Sequence, residues 1–117
     1  MVRMPVDIQW LFEQQLPAQC ERHPELVREI GATFQVHVTG RDGGDWFLDL
    51  TADPPVVRPG IEDAECTLTI ASADFQRLHQ NPLMNAMTLY VQGKIKAFGD
   101  PALFSRFTRL FTLPHVH

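Results

Sequence analysis

Lysine is almost missing from this chain. Lys94 and Lys96 are the only two, and the formal net charge is −4. Such a chain has no basic face with which to neutralise phosphates, which excludes general nucleic-acid binding. Cysteine is as scarce. Cys20 and Cys66 stand in no metal-like or redox spacing, so they read as two free core thiols in a reducing cytosol. No apolar run approaches the roughly 18 residues that span a bilayer. Asp7 and Glu13 come too early for a signal peptide. The last residues, Leu113-Pro114-His115-Val116-His117, form neither a peroxisomal address nor a prenylation box. The expectation is a cytoplasmic protein of one domain over 1–117, with a helical segment over 1–30 and a short tail over 112–117. Charged residues are 21% and apolar residues 44%, enough to build a core and too apolar for disorder.

A catalytic set is missing as well. Catalysis needs a nucleophile beside a base, paired carboxylates or a ligand cluster. His37 falls on the polar side of a strand, His23 precedes a proline and His79 lies on a helix edge. His115 and His117 are close in sequence, but a two-residue terminal pattern reads as a solvated tail rather than a metal site. Asp45 and Asp49 alternate along one strand with no partner acid or base, and so read as solvent-facing. Gly43-Gly44 lacks the Gly-Lys-Ser/Thr ending and the helix of a phosphate loop, so it reads as a turn. The residues call for no metal, no cofactor and no enzyme.

What is present is regular patterning. Ile8, Leu11, Phe12 and Leu16 recur at helical spacing, which predicts a helix over Pro5 to Leu16 that Pro17 breaks or restarts. Pro24 opens a second helix through Ile30, ended by Gly31. This opening covers one side of the core; in the other reading, Trp10 and Phe12 are exposed and meet a partner. Thr33 to Thr39 alternates, with Phe34, Val36 and Val38 on one face. A glycine-rich turn leads to Trp46 to Leu50, which completes a hairpin. Val56 to Arg58 is a short edge strand between prolines, and Glu65 to Ala71 alternates again. Four strands in a row with short turns predict an antiparallel meander.

The period then changes. Ser72 is expected to cap a helix carrying Phe75 and Leu78. Asn81 caps, and Pro82 starts, a helix lined by Leu83, Met87 and Tyr90, with Met84 and Val91 beside them. The rest of the chain is organised around Gly93-Lys94-Ile95-Lys96-Ala97-Phe98-Gly99-Asp100. In that strand Lys94, Lys96 and Phe98 oppose Ile95 and Ala97. Gly99 turns the backbone, Asp100 caps, and Pro101 starts a helix to Phe111. Leu103, Phe104, Phe107, Leu110 and Phe111 form its stripe.

The ordered set Trp46-x-Leu48-Asp49-Leu50, Glu65-Cys66-Thr67-Leu68-Thr69-Ile70, Asp74-Phe75-x-x-Leu78 and Gly93-Lys94-Ile95-Lys96-x-x-Gly99-Asp100 resembles the sterol carrier protein 2 (SCP-2) sterol-binding domain, from about Phe34 to Phe111. Where family members often have a glycine after the Asp-Phe-x-x-Leu helix, this chain has Gln80-Asn81-Pro82. The resemblance implies an α+β fold: a five-stranded, largely antiparallel sheet covered by helices and enclosing an apolar tunnel. It implies binding and transfer or sequestration of sterols, fatty acids, acyl-CoA or other lipids, without a metal. It also covers domains attached to enzymes and members of quinone biosynthesis pathways. Phe75, Leu78, Met84, Met87, Phe104, Phe107 and Phe111 are the candidate ligand-binding residues. Periodicity alone reads them as solid core; the resemblance reads them as lining a cavity. The expected partner is a lipid or other apolar molecule, with at most transient membrane contact. The other reading is an accessory module that turns the same apolar face to a protein or membrane.

Overall fold

The computed structural model describes residues 5–112. Five strands form one sheet: β1 Thr33–Thr39, β2 Gly44–Asp49, β3 Val56–Pro59, β4 Cys66–Ala71 and β5 Ile95–Gly99. Their spatial order is β3-β2-β1-β4-β5. The hairpin forms as expected, with Val36 opposite Trp46 and His37 opposite Asp45. The meander does not. β4 lies beside β1 and parallel to it, with Phe34 opposite Cys66, so the sheet is mixed. The physical reason lies in residues 60–65. They leave edge strand β3 and cross the outer face of the sheet to reach the far side of β1. Gln35, only 1% exposed, ties them down. Its Nε2 donates to the Gly60 carbonyl at 2.9 Å, and its Oε1 accepts from the Glu62 amide at 2.8 Å. The Glu65 amide then reaches Thr33 Oγ1 at 2.9 Å. Gln35 lies on the face that alternation marks as polar, and this strap is why it is buried.

The helices cover the opposite face, which carries Phe34, Val36, Val38, Leu48, Leu68 and Ile70. Helix α1 spans Ile8–Trp10, a π-helical stretch follows at Leu11–Gln15, and α2 spans Leu16–Arg22. The expected start at Pro5 moves to Ile8 because the Gln76 amide takes both backbone groups of Val6, at 2.8 Å each, leaving Asp7 to cap. Pro17 does not break the helix. The turn before it is widened, with the Leu16 amide reaching back to the Leu11 carbonyl, and a proline without an N–H fits there. Helix α3 spans Pro24–Ile30 and ends at Gly31 in the left-handed region, φ 49°.

Helix α4, Ser72–Gln80, follows β4 with no gap. Ala71 is therefore the cap position, and Ser72 is already helical, without the capping bond expected of it. Asn81 caps α5, Pro82–Val91, by accepting from the Met84 amide at 3.3 Å. Asp100 caps α6, Pro101–Thr108, by accepting from the Ala102 amide at 2.9 Å, and the chain tightens into a 3₁₀ turn at Arg109–Thr112. Gly99 is required at the strand-to-helix junction. Its φ is 119°, and a Cβ there would stand 2.3 Å from the Glu65 carbonyl oxygen.

Candidate functional site

Aromatic rings run through the interior from one element to the next. Trp46 of β2 stacks on Phe12 at 4.6 Å between centroids, and Phe12 meets Phe75 of α4 at 5.5 Å. Phe75 meets Phe111 edge-on at 5.8 Å, Phe111 meets Phe107 of α6 at 5.2 Å, and Phe107 meets Phe34 of β1 at 5.2 Å. Such offset and edge-to-face pairs stabilise beyond the area they bury. Phe12 is thus fully buried and is no partner surface, whereas Trp10 on the next face is half-exposed.

Of the residues expected to bind ligand, Phe75, Leu78, Phe104 and Phe107 are buried, and Phe111 is half-buried at the end of the chain of rings. Phe104 stands apart, stacked on Tyr90 at 5.4 Å. Met84 and Met87 are 71% and 61% exposed; Leu89 is the buried residue of α5. Leu83 and Val91 are also exposed, at 83% and 75%. The interior is filled. A void lined by Leu11, Leu16, Gln19, Leu110 and Phe111, among others, measures only ≈ 10 Å³. Leu11, Leu16 and Phe12 join the site from the opening helix, where the 3.6-residue spacing already marks them.

Paired polar side chains lie mainly outside this interior, whereas Gln19 and both cysteines lie within it. A cleft of ≈ 830 Å³ between the start of α1 and the β1–β2 turn is lined by Asp7, Glu13, Arg41, Asp45 and Trp46, among others. Trp46 Nε1 donates to Glu13 there at 3.3 Å. Asp45 is not a lone solvent-facing acid: its carboxylate is 2.6 Å from Nδ1 of His37, across the strand pair. Asp49 accepts from the Thr51 hydroxyl and amide, and the hydroxyl bond chiefly holds its carboxyl below the usual range. Cys20 and Cys66 are free and buried. Burial pushes the Cys20 thiol up to about 11. Burial, then the charge of Asp100, raises Cys66 as well. Both stay protonated, and so weakly nucleophilic, at neutral pH. Among the described residues no group of three or more His, Cys, Asp or Glu could hold a metal, and no helix is long and apolar enough to cross a membrane. His115 and His117 lie outside the described residues.

The family model for the SCP-2 sterol transfer family matches residues 12–112, which takes in every ring of the series. The chain belongs to the SCP-2 sterol transfer family. Hydroxysteroid dehydrogenase-like protein 2 of Rattus norvegicus is 33% identical over 90 residues, 75% of this chain and 17% of that protein. Sterol carrier protein 2 of Homo sapiens is 31% identical over 98 residues, 80% of this chain and 18% of that protein. This SCP-2 chain therefore spans less than a fifth of these relatives. Its fold matches the solution structure of sterol carrier protein 2 from Aedes aegypti in complex with palmitate, with TM-score 0.70 and 18% identity over 92% of this chain and 96% of that one.

Proposed function

We propose that this SCP-2 chain acts as one lipid-binding unit that holds a sterol, fatty acid, acyl-CoA or other apolar ligand beneath its helices and carries it, without catalysing a reaction on it. The observation that carries the reading is the unbroken run of rings from Trp46 to Phe34, which passes through a half-buried Phe111. A ligand enters where Phe111 and the 3₁₀ turn lift, and the rings then line a tunnel rather than a solid core. The palmitate named with the Aedes aegypti structure supports a ligand of this class. The thiols lie in the core but are held protonated, and the His37–Asp45 pair, on the outer face of the sheet, is set apart from that interior.

The test is displacement of a fluorescent long-chain fatty acid. Binding should saturate at one probe per chain, yield to unlabelled lipids and be indifferent to chelator. If folded protein binds no member of a broad lipid panel, the carrier reading fails.

Contact with membranes falls to α5. No charged residue occurs from Gln80 to Gly93, the helix turns Leu83, Met84, Met87 and Val91 outward, and the only two lysines follow at Lys94 and Lys96. An apolar face next to cations suits an anionic bilayer, to which each lysine adds roughly 1 kcal/mol. The same face favours the second reading, an accessory module docked on a protein. Native mass spectrometry separates the two, by a retained lipid or a stoichiometric protein partner.

A further inference from the structure

Gln19 of α2 is 6% exposed, and its Oε1 is a buried acceptor without a hydrogen-bond partner among the described residues. Its helix neighbours Leu16 and Cys20 are buried and apolar. An apolar side chain at position 19 would fill the same space with no polar atom to satisfy. A buried acceptor left unpaired costs free energy, so each such case calls for an explanation. Gln19 also borders the small, partly open void, with Gln15 and His79 beside it and Leu11, Leu16, Leu110 and Phe111 as its apolar wall. Phe111 is half-buried and lies in the 3₁₀ turn at Arg109–Thr112.

We propose that Gln19 Oε1 is the polar anchor of the ligand pocket, accepting a hydrogen bond from a hydroxyl at one end of an otherwise apolar ligand. The inference rests on the carrier reading and narrows it to hydroxyl-ended lipids. The void is the collapsed end of the pocket, and outward movement of Phe111 opens it. A hydroxyl supplies the donor that Oε1 lacks; an ether oxygen or an ionised carboxylate supplies only acceptors. Specificity of this kind comes from the unpaired group itself, because a ligand without the donor leaves it unpaired.

The experiment compares 1-hexadecanol with methyl hexadecyl ether as competitors for a bound fluorescent fatty acid, in the native chain and in Gln19→Met. The native chain should favour the alcohol by about tenfold, the worth of one hydrogen bond to a buried neutral acceptor. Gln19→Met should bind the two alike. Without ligand it should melt at a higher temperature than the native chain, because the unpaired acceptor is gone. Equal displacement by alcohol and ether in the native chain would overturn the anchor and leave a trapped water as the partner of Oε1. That arm needs no variant, so it stands even if Gln19→Met folds poorly. A preference for alcohol that survives in Gln19→Met would overturn the proposal too. If neither the fluorescent fatty acid nor a fluorescent long-chain alcohol binds, the carrier reading falls and the anchor falls with it; binding of the alcohol probe alone upholds both.

Discussion

Phe107 is 2% exposed and lies between Phe34 and Phe111. Phe107→Ala removes a ring from a filled space, so it should cost roughly 3–5 kcal/mol of stability, read by urea unfolding. A loss under about 1 kcal/mol would mean that the ring faces a space already open, and that the filled interior described above is wrong. The burial of Phe107 was legible because α6 is two-sided: Arg106 and Arg109 mark the wet face, which leaves one place for the rings. Met84 and Met87 offered no such contrast. Helix α5 has no charged residue and apolar side chains around most of its circumference, so spacing alone could not say that Leu89 would face inward and the methionines outward. Asp45 hid its partner for another reason. The side chains of His37 and Asp45 meet only through the register of two strands, and register is set by the turn between them rather than by either residue.

At the scale of elements, the strap over residues 60–65 determines the sheet. Gln35 holds it through two hydrogen bonds, and Gln35→Leu would strand the Gly60 carbonyl and the Glu62 amide. The expected cost is about 2–4 kcal/mol, with faster cleavage after Glu62 by a glutamate-specific protease as the strap loosens. Cleavage at the native rate would show that the bonds left in place, such as that from the Glu65 amide to Thr33 Oγ1, hold the crossover without Gln35. The strands, the Asn81 and Asp100 caps and the glycine junctions could all be read from the chain, since each is written in residues next to one another. The parallel pairing of β1 with β4 could not. Alternation states which face a side chain takes but not which strand lies alongside, and a short link reads as a turn until Gln35 is seen to bury beneath it. The π-helical stretch was hidden likewise, because Pro17 signals a break and the widened turn that accommodates it has no signature of its own.

For the whole molecule, the carrier reading requires meeting a membrane without remaining there. Met84→Glu with Met87→Glu places two acids on an exposed face, so the melting temperature should hardly move, while transfer of fluorescent lipid from vesicles containing phosphatidylserine should slow. Unchanged transfer would remove α5 from the encounter. A protein that opens its helices to load cargo also bares its sheet at intervals, and bare sheets recruit their own kind. The two outer strands limit that hazard by different means. β3 is four residues long, ends in Pro59 and follows Pro54-Pro55. β5 carries an exposed Lys96 and is turned away by Gly99 as soon as it ends. An incoming strand finds no N–H on the proline of one edge and a cation on the other, both known deterrents to edge-to-edge growth. The molecule is thereby guarded against fibre formation in the loaded-and-unloaded cycle that its interior implies.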